Sequence, residues 1–247
     1  MPNMLITGGA RGIGRATAIL AAERGWSVAI NYNSDGAAAG ETQAAVEAHG
    51  QCGLVVRGDV ADEQQVIAMF EHAASELGSL DAVVINAGIV APSMSLAGMD
   101  GERIRKMIAV NTTGALFSAR EAVRRMGKTY GGSGGALVFV SSRAAQLGSP
   151  FEYVDYAASK GAIDTLTIGL AKEVGAEGIR VNAVRPGLIE TAIHASGGRP
   201  QRAYELGSQT PLGRPGTAEE VASTIMWLLG PEASYVTGAL IDVAGGR

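Results

Sequence analysis

The chain has a single cysteine, Cys52, in 247 residues. No disulfide can form within it, and no cysteine cluster can hold a metal. Its three histidines, His49, His72 and His194, lie far apart without ligand spacing, so the sequence offers no metal site. No run of lysines or arginines is present and the formal net charge is −4, which argues against nucleic acid or an anionic membrane as the main partner. No stretch approaches the roughly 20 uninterrupted apolar residues of a membrane span. The first residues run straight into a strand, with no basic region, long apolar core or cleavage site before it, so a cytoplasmic location is expected. What remains is ordinary: 47% hydrophobic and 18% charged residues, in a chain long enough for one large α/β domain with a sizeable core. With no internal repeat, low-complexity tract or linker, residues 1–247 are expected to form one domain.

Short apolar runs alternate with helical periodicity along the chain. Strands are expected at 5–7, 28–31, 54–57, 82–85, 136–140, 179–184 and 239–243. The run at 82–85 is apolar at every position, as in a parallel strand buried on both faces. Helical pattern fills 15–24, 37–48, 62–77, 100–126, a segment through 153–160 to about 177, and 217–229. Asp62 reads as an N-cap and Gly78 as a stop. This βαβ alternation predicts a doubly wound Rossmann domain, a central, mostly parallel seven-stranded sheet flanked by helices, with binding along the C-terminal ends of the strands. Residues 188–215 hold four glycines and three prolines with little periodicity, and so long a loop in a compact domain predicts a substrate lid.

Three stretches suggest chemistry. The first strand ends in Gly8-Gly9-Ala10-Arg11-Gly12-Ile13-Gly14 before a helical run, an arrangement that brings backbone N–H groups and a helix N-terminus to a pyrophosphate. The second strand ends in Asn31-Tyr32-Asn33-Ser34, with Asp35 only afterwards and Arg11 and Arg15 nearby. An acidic residue at that strand end would suit the 2′-hydroxyl of NAD. Neutral amides beside a guanidinium suit the 2′-phosphate of NADP, so NADP(H) is preferred with NAD(H) possible. Finally, Tyr156 and Lys160 are four residues apart on one helix face, where an ammonium beside a phenol would lower the phenol pKa from about 10.

The set Thr7-Gly8-x-x-x-Gly12-x-Gly14, Asn86-Ala87-Gly88, Asn111, Ser142, Tyr156-x-x-x-Lys160 and Pro186-Gly187, in this order over the whole chain, resembles the short-chain dehydrogenase/reductase family. Within it the chain looks most like bacterial NADP-dependent oxidoreductases of the 3-oxoacyl-carrier-protein reductase or glucose 1-dehydrogenase type. The resemblance implies Tyr156 as general acid/base, Lys160 lowering its pKa and holding the nicotinamide ribose, Ser142 on the substrate oxygen, and Asn111 holding a water that links Lys160 to solvent. It implies Gly8, Gly12, Ile13 and Gly14 at the pyrophosphate, Asp59 and Val60 at the adenine, Asn86, Ala87 and Gly88 at its ribose, and Pro186, Gly187, Ile189 and Thr191 at the nicotinamide end. Ser142 lies one residue farther from Tyr156 than is commonest in the family, which keeps the adjacent Ser141 as an alternative. Tyr153 lacks a lysine four residues on and is expected to line the pocket or pack in the core. The substrate is expected to be a small carbonyl compound or secondary alcohol and the assembly a homotetramer. The alternatives are an NAD-dependent sugar or secondary-alcohol dehydrogenase and a non-catalytic NADP-sensing binding module. Should Arg199 and Arg202 in the lid face the pocket, an anionic or acyl-carrier substrate is favoured.

Overall fold

The computed structural model describes residues 1–247, except that the side chain of His194 lies outside the described residues. Seven strands, β1 (Asn3–Thr7), β2 (Ser27–Tyr32), β3 (Gly53–Arg57), β4 (Ala82–Ile85), β5 (Gly135–Val140), β6 (Ile179–Pro186) and β7 (Leu240–Val243), form one sheet in the order β3-β2-β1-β4-β5-β6-β7. Every pairing is parallel, so the mostly parallel sheet expected is wholly parallel. The order reverses between β1 and β4, and the loops leaving these two strands diverge to opposite faces. A crevice opens there at the C-terminal strand ends.

Side-chain alternation explains why the strands read as unbroken apolar runs. On β1, Leu5 joins the core beneath α3 (Glu63–Leu77), α5 (Gly114–Met126) and α7 (Val154–Val174), with Phe70, Met126 and Ile163. Its neighbours Met4 and Ile6 join the opposite core, beneath α1 (Gly12–Glu23), α2 (Gly36–Glu47) and α10 (Ala218–Leu229), with Ala18, Val46 and Ile225. Helix starts are local chemistry: Asp62 accepts from the Gln64 and Gln65 N–H groups, and Thr217 with Glu220 closes a capping box on α10.

The single helix expected over 100–126 is interrupted. It runs as α4 (Gly101–Ile108), a π-helical turn (Ala109–Thr113) and then α5. The extra residue in that turn places Asn111 in the interior, 1% exposed. Past the turn, a Cβ on Gly114 would stand 2.8 Å from the Val60 carbonyl oxygen, so the helix approaches the loop after β3 on bare backbone. A four-residue helix, α6 (Ala144–Leu147), precedes α7, and the 188–215 segment carries two short ones, α8 (Ile193–Ser196) and α9 (Arg202–Gly207). Among the described residues no helix is long and apolar enough to cross a membrane.

Candidate active site

A cleft of about 730 Å³ runs along the C-terminal ends of the strands. Eighteen of the twenty site positions expected from the sequence line it, and the two absent from its wall, Gly14 and Asn111, are buried.

The glycine turn is built so that backbone forms the wall. Gly8 has φ +63°, and a Cβ on Gly14 would fall 2.4 Å from the Gly8 carbonyl oxygen. Neither position tolerates a side chain. Thr7 and Asn86 fasten this turn to the end of β4: Thr7 Oγ1 accepts from the Asn86 and Ala87 N–H groups, and Asn86 Nδ2 donates to the Thr7 and Gly8 carbonyls. Helix α1 begins at Gly12 with no side-chain cap and no acid in its first turn, so its N–H groups and positive dipole end face the cleft uncompensated. Across the opening, Thr191 lies 3.3 Å from where a Gly12 Cβ would be. A slot with bare backbone on one side and a hydroxyl-bearing residue on the other fits a dinucleotide pyrophosphate.

At the adenine end the structure changes one expectation. Asn31 reaches the cleft, but it is 2% exposed and its side chain is consumed by scaffold bonds. Its Oδ1 accepts from Gly8 N–H and its Nδ2 donates to the Gly58 and Val56 carbonyls. The Asn31 amide therefore ties β2 to the glycine turn and to the end of β3, and is not free for a phosphate. Arg11 remains, 65% exposed, 3.4 Å from Asp35; Asp35 also caps α2 through Ala38 N–H. Arg15 is exposed and outside the cleft wall.

At the other end Ser142, Tyr156 and Lys160 come together. Ser141 turns away into the interior, where its hydroxyl donates to Asp164 at 2.6 Å. Ser142 faces the cleft, hydrogen-bonds the Tyr156 phenol and accepts from Ala144 N–H at 3.1 Å. Adjacent strand-end residues point to opposite sides, so only one of the two serines meets Tyr156. Lys160 is buried and its Nζ donates to the Val140 carbonyl at 2.7 Å, 5.8 Å from the centre of the Tyr156 ring. Burial pulls the ammonium down to about 8, against the opposing charge of Asp164.

The lowering of the Tyr156 pKa expected from Lys160 is not found. Although Tyr156 is half-buried and lines the cleft, burial dominates and raises the phenol above its ordinary value, while the Ser142 hydrogen bond and the Arg202 charge pull the other way. The physical reason is orientation: the ammonium is engaged with a backbone carbonyl and stands beside the ring rather than at the hydroxyl.

Asn111 clamps the strand-end loop, Oδ1 accepting from Ile89 N–H at 2.8 Å and Nδ2 donating to the Ile89 carbonyl at 3.0 Å and to Ser159 Oγ at 3.1 Å. Its Oδ1 and Lys160 Nζ converge on Gly88, 3.4 and 3.5 Å from where a Cβ would be. Tyr153 is 6% exposed and lines the cleft with its ring. Sequence reasoning missed the cations around the outer cleft, Lys106, Arg143 and Arg247. Of these, only Arg143, directly after the serine pair, carried a positional signal. In the 188–215 segment, Arg202 lines the cleft and Arg199 does not; the side chain of His194 lies outside the described residues.

Comparison with known proteins agrees with this architecture. A family model described as Enoyl-(Acyl carrier protein) reductase matches residues 8–247. The chain is 53% identical over 243 residues to the uncharacterized oxidoreductase YgfF of Escherichia coli (strain K12), spanning 98% of both chains. It is 40% identical to the cis-4-hydroxycyclohexanecarboxylate dehydrogenase of Sinomonas cyclohexanicum and 38% identical to the L-rhamnose 1-dehydrogenase (NAD(P)(+)) of Sphingomonas sp. (strain SKA58), in each case over 98% of this chain and 94% of the relative. A short-chain dehydrogenase from Burkholderia cenocepacia J2315, solved in complex with NADP, superposes with a TM-score of 0.90 at 32% identity, covering 99% of this chain and 97% of that one. The chain therefore belongs to the short-chain dehydrogenase/reductase family, oxidoreductases that bind a nicotinamide cofactor.

Proposed function

We propose that the protein is an NADP(H)-linked carbonyl reductase or alcohol dehydrogenase in which Tyr156 exchanges the proton. The observation that carries this reading is the meeting of Ser142, Tyr156 and Lys160 at the end of a cleft whose other half fits a dinucleotide. The nicotinamide, when bound, supplies or receives the hydride. Gly8, Gly12, Ile13 and Gly14 bind the pyrophosphate through backbone, Asp59 and Val60 flank the adenine, Asn86, Ala87 and Gly88 its ribose, and Pro186, Gly187, Ile189 and Thr191 border the nicotinamide end. Tyr156 gives its hydroxyl proton to the substrate oxygen in reduction and takes it back in oxidation. Ser142 donates to that same oxygen and stabilises charge developing on it. Lys160 holds the ribose hydroxyls and supplies positive charge near the phenol. Because the Asn111 side chain is spent on Ile89 and Ser159, its part is to fix the 88–90 loop and Ser159 on α7 beside Lys160; a water link to solvent would run through backbone.

The cofactor preference rests on Arg11. Replacing Arg11 with alanine is expected to raise KM for NADPH by about 10- to 100-fold, the range for a charged hydrogen bond, and to leave KM for NADH within about twofold. The effect should shrink as salt rises, since Arg11 is exposed. The assay is oxidation of both cofactors against ketones, aldehydes, sugar-derived carbonyls and acyl thioesters. Equal loss for both cofactors would favour the second reading, an NAD-linked dehydrogenase, which Asp35 supports: its carboxylate stands 3.4 Å from Arg11, able to meet a ribose hydroxyl and repel a phosphate. Tight NADPH binding without turnover on any carbonyl would favour the sensing module.

A cytoplasmic location and homotetrameric assembly belong to the same reading. Gly161 and Gly169 on α7 have nothing above them within 4 Å, and Ile168 between them is 41% exposed. Light scattering is expected to give four times the chain mass of 25.2 kDa; a monomer would exclude the assembly.

A further inference from the structure

The substrate end of the cleft has a one-sided charge. Its wall carries Lys106, Arg143, Arg202 and Arg247, whereas the only side-chain carboxylates in the whole wall among the described residues, Asp35 and Asp59, belong to the adenine end. Such cations matter only where they are not already neutralised, and their partners differ. Arg143 is engaged by Asp242 at 3.0 Å, by Gln146 and by the Arg247 carbonyl. Arg202 is placed differently.

The Arg202 side chain is only 12% exposed. One corner is anchored, Nη2 donating to Glu152 Oε2 at 2.7 Å, and the guanidinium lies over the Tyr153 ring at 5.4 Å from its centre. Its Nε is buried with no hydrogen-bond partner among the described residues. An unpartnered buried donor on a charged group is costly, because desolvation is not repaid. Glu152 is shared: its other oxygen accepts from Arg199 at 2.9 Å, and Arg199 is held by Glu205 as well at 2.8 Å, so Glu152 is the one carboxylate paired with Arg202 among the described residues. The Arg202 charge reaches the reacting end of the cleft, where it pulls the Tyr156 phenol downward, and it also reaches Arg247, which burial and Arg202 together hold below its ordinary value against Glu152. Two guanidinium groups in the wall of one partly closed cleft make a receptor for an anion.

We propose that the substrate bears a carboxylate, received by Arg202 with Arg247 beside it, so that the enzyme works on hydroxy acids and their oxo acids rather than on neutral sugars. The Tyr153 ring supports the Arg202 guanidinium from one side and Glu152 fixes its rotation through Nη2, which leaves Nη1, without a hydrogen bond among the described residues, for the ligand. A guanidinium held by one corner retains the planar fork that matches a carboxylate. This inference rests on the oxidoreductase reading above and narrows its substrate class.

The test separates the two. Calorimetric titration of the NADP-loaded protein with cyclohexanecarboxylate and with the uncharged cyclohexanecarboxamide is expected to show the acid binding about 10- to 100-fold more tightly, a charged hydrogen-bond difference. Arg202→Met should abolish that difference, Arg202→Lys should restore part of it, and Glu152→Gln, which releases Arg202 from its anchor charge, should tighten the acid further. Acid and amide binding alike, or inorganic phosphate binding ten times better than the acid, would overturn the proposal. Turnover is read in parallel on oxo acids of graded length, each beside its carboxamide. Acid binding that depends on Arg202, with no turnover of any carbonyl, supports the anion site and counts against the oxidoreductase reading. Turnover in which KM does not distinguish acid from amide overturns the anion site and leaves that reading intact.

Discussion

Replacing Tyr156 with phenylalanine is expected to reduce kcat by about 10²- to 10⁴-fold, the usual worth of a positioned general acid, while the Kd for NADPH changes by less than about threefold. The substitution removes one oxygen from a ring whose packing is otherwise kept. Ser142 loses its phenol partner but retains Ala144 N–H as a donor to its own oxygen, so the fold should tolerate the change. Stopped-flow turnover beside cofactor fluorescence titration separates the two effects; a mutant with undiminished kcat would remove Tyr156 from the chemistry. The pH dependence follows from the same geometry. The phenol sits above its ordinary value, so the protonated form needed for reduction persists through neutral pH, whereas the phenolate needed for oxidation becomes available only as pH rises. Lys160, held at about 8, loses its charge above that pH. Because kcat/KM reports the groups of the free enzyme, kcat/KM for reduction should be level from pH 6 to about 7.5 and fall through about 8. That step should be missing in Lys160→Met. A fall at the same pH in the Lys160 variant would assign it to another group.

Much of this was legible in the sequence because the relevant signals are short-range. Strand 82–85 is apolar throughout, and the structure assigns it the same bounds because both its faces are covered. Tyr156 and Lys160 share a face because a spacing of four is just over one turn of α7. Other features depend on what the chain meets only once folded. The π-helical turn at Asn111 leaves the apolar periodicity of 100–126 almost unchanged, so no pattern betrays it; it is set by the grip of Asn111 on Ile89 and by the approach of Gly114 to Val60. Asn31 reads as an available amide at a strand end, yet three backbone partners from distant segments consume it. The direction of the Lys160 ammonium is likewise decided by a carbonyl twenty residues earlier, on β5. In the 188–215 segment, arginine composition alone is neutral between solvent and cleft. The difference between Arg199 and Arg202 arises from which Glu152 oxygen each can reach.

The same dependence on distant partners makes the start of α7 the most sensitive scaffold position. Asp155, immediately before Tyr156, is joined by Arg103 of α4 in a two-point ion pair, Nε to Oδ2 at 2.8 Å and Nη2 to Oδ1 at 3.2 Å, with the remaining corner of Arg103 on the Pro92 carbonyl. The side chains are 3% and 10% exposed. Taking either partner away leaves the other charge buried, which costs about 3–5 kcal/mol, far more than an exposed pair would. Asp155→Ala should therefore lower Tm by roughly 6–20 °C, on the scale of about 2–4 °C per kcal/mol for a chain of this size. The double change Arg103→Met with Asp155→Leu removes both charges and refills their volume, so it should recover most of that loss. If the double variant were as unstable as the single one, packing rather than stranded charge would be the cause. Stability and activity then part company. The double variant should regain its melting temperature yet keep a reduced kcat with nearly normal cofactor binding, because the α4 to α7 tether that sets the height of the Tyr156 hydroxyl is gone, and misplacement of even about 1 Å can cost some 10²-fold in rate. Full recovery of kcat in the double variant would assign Asp155 to stability alone.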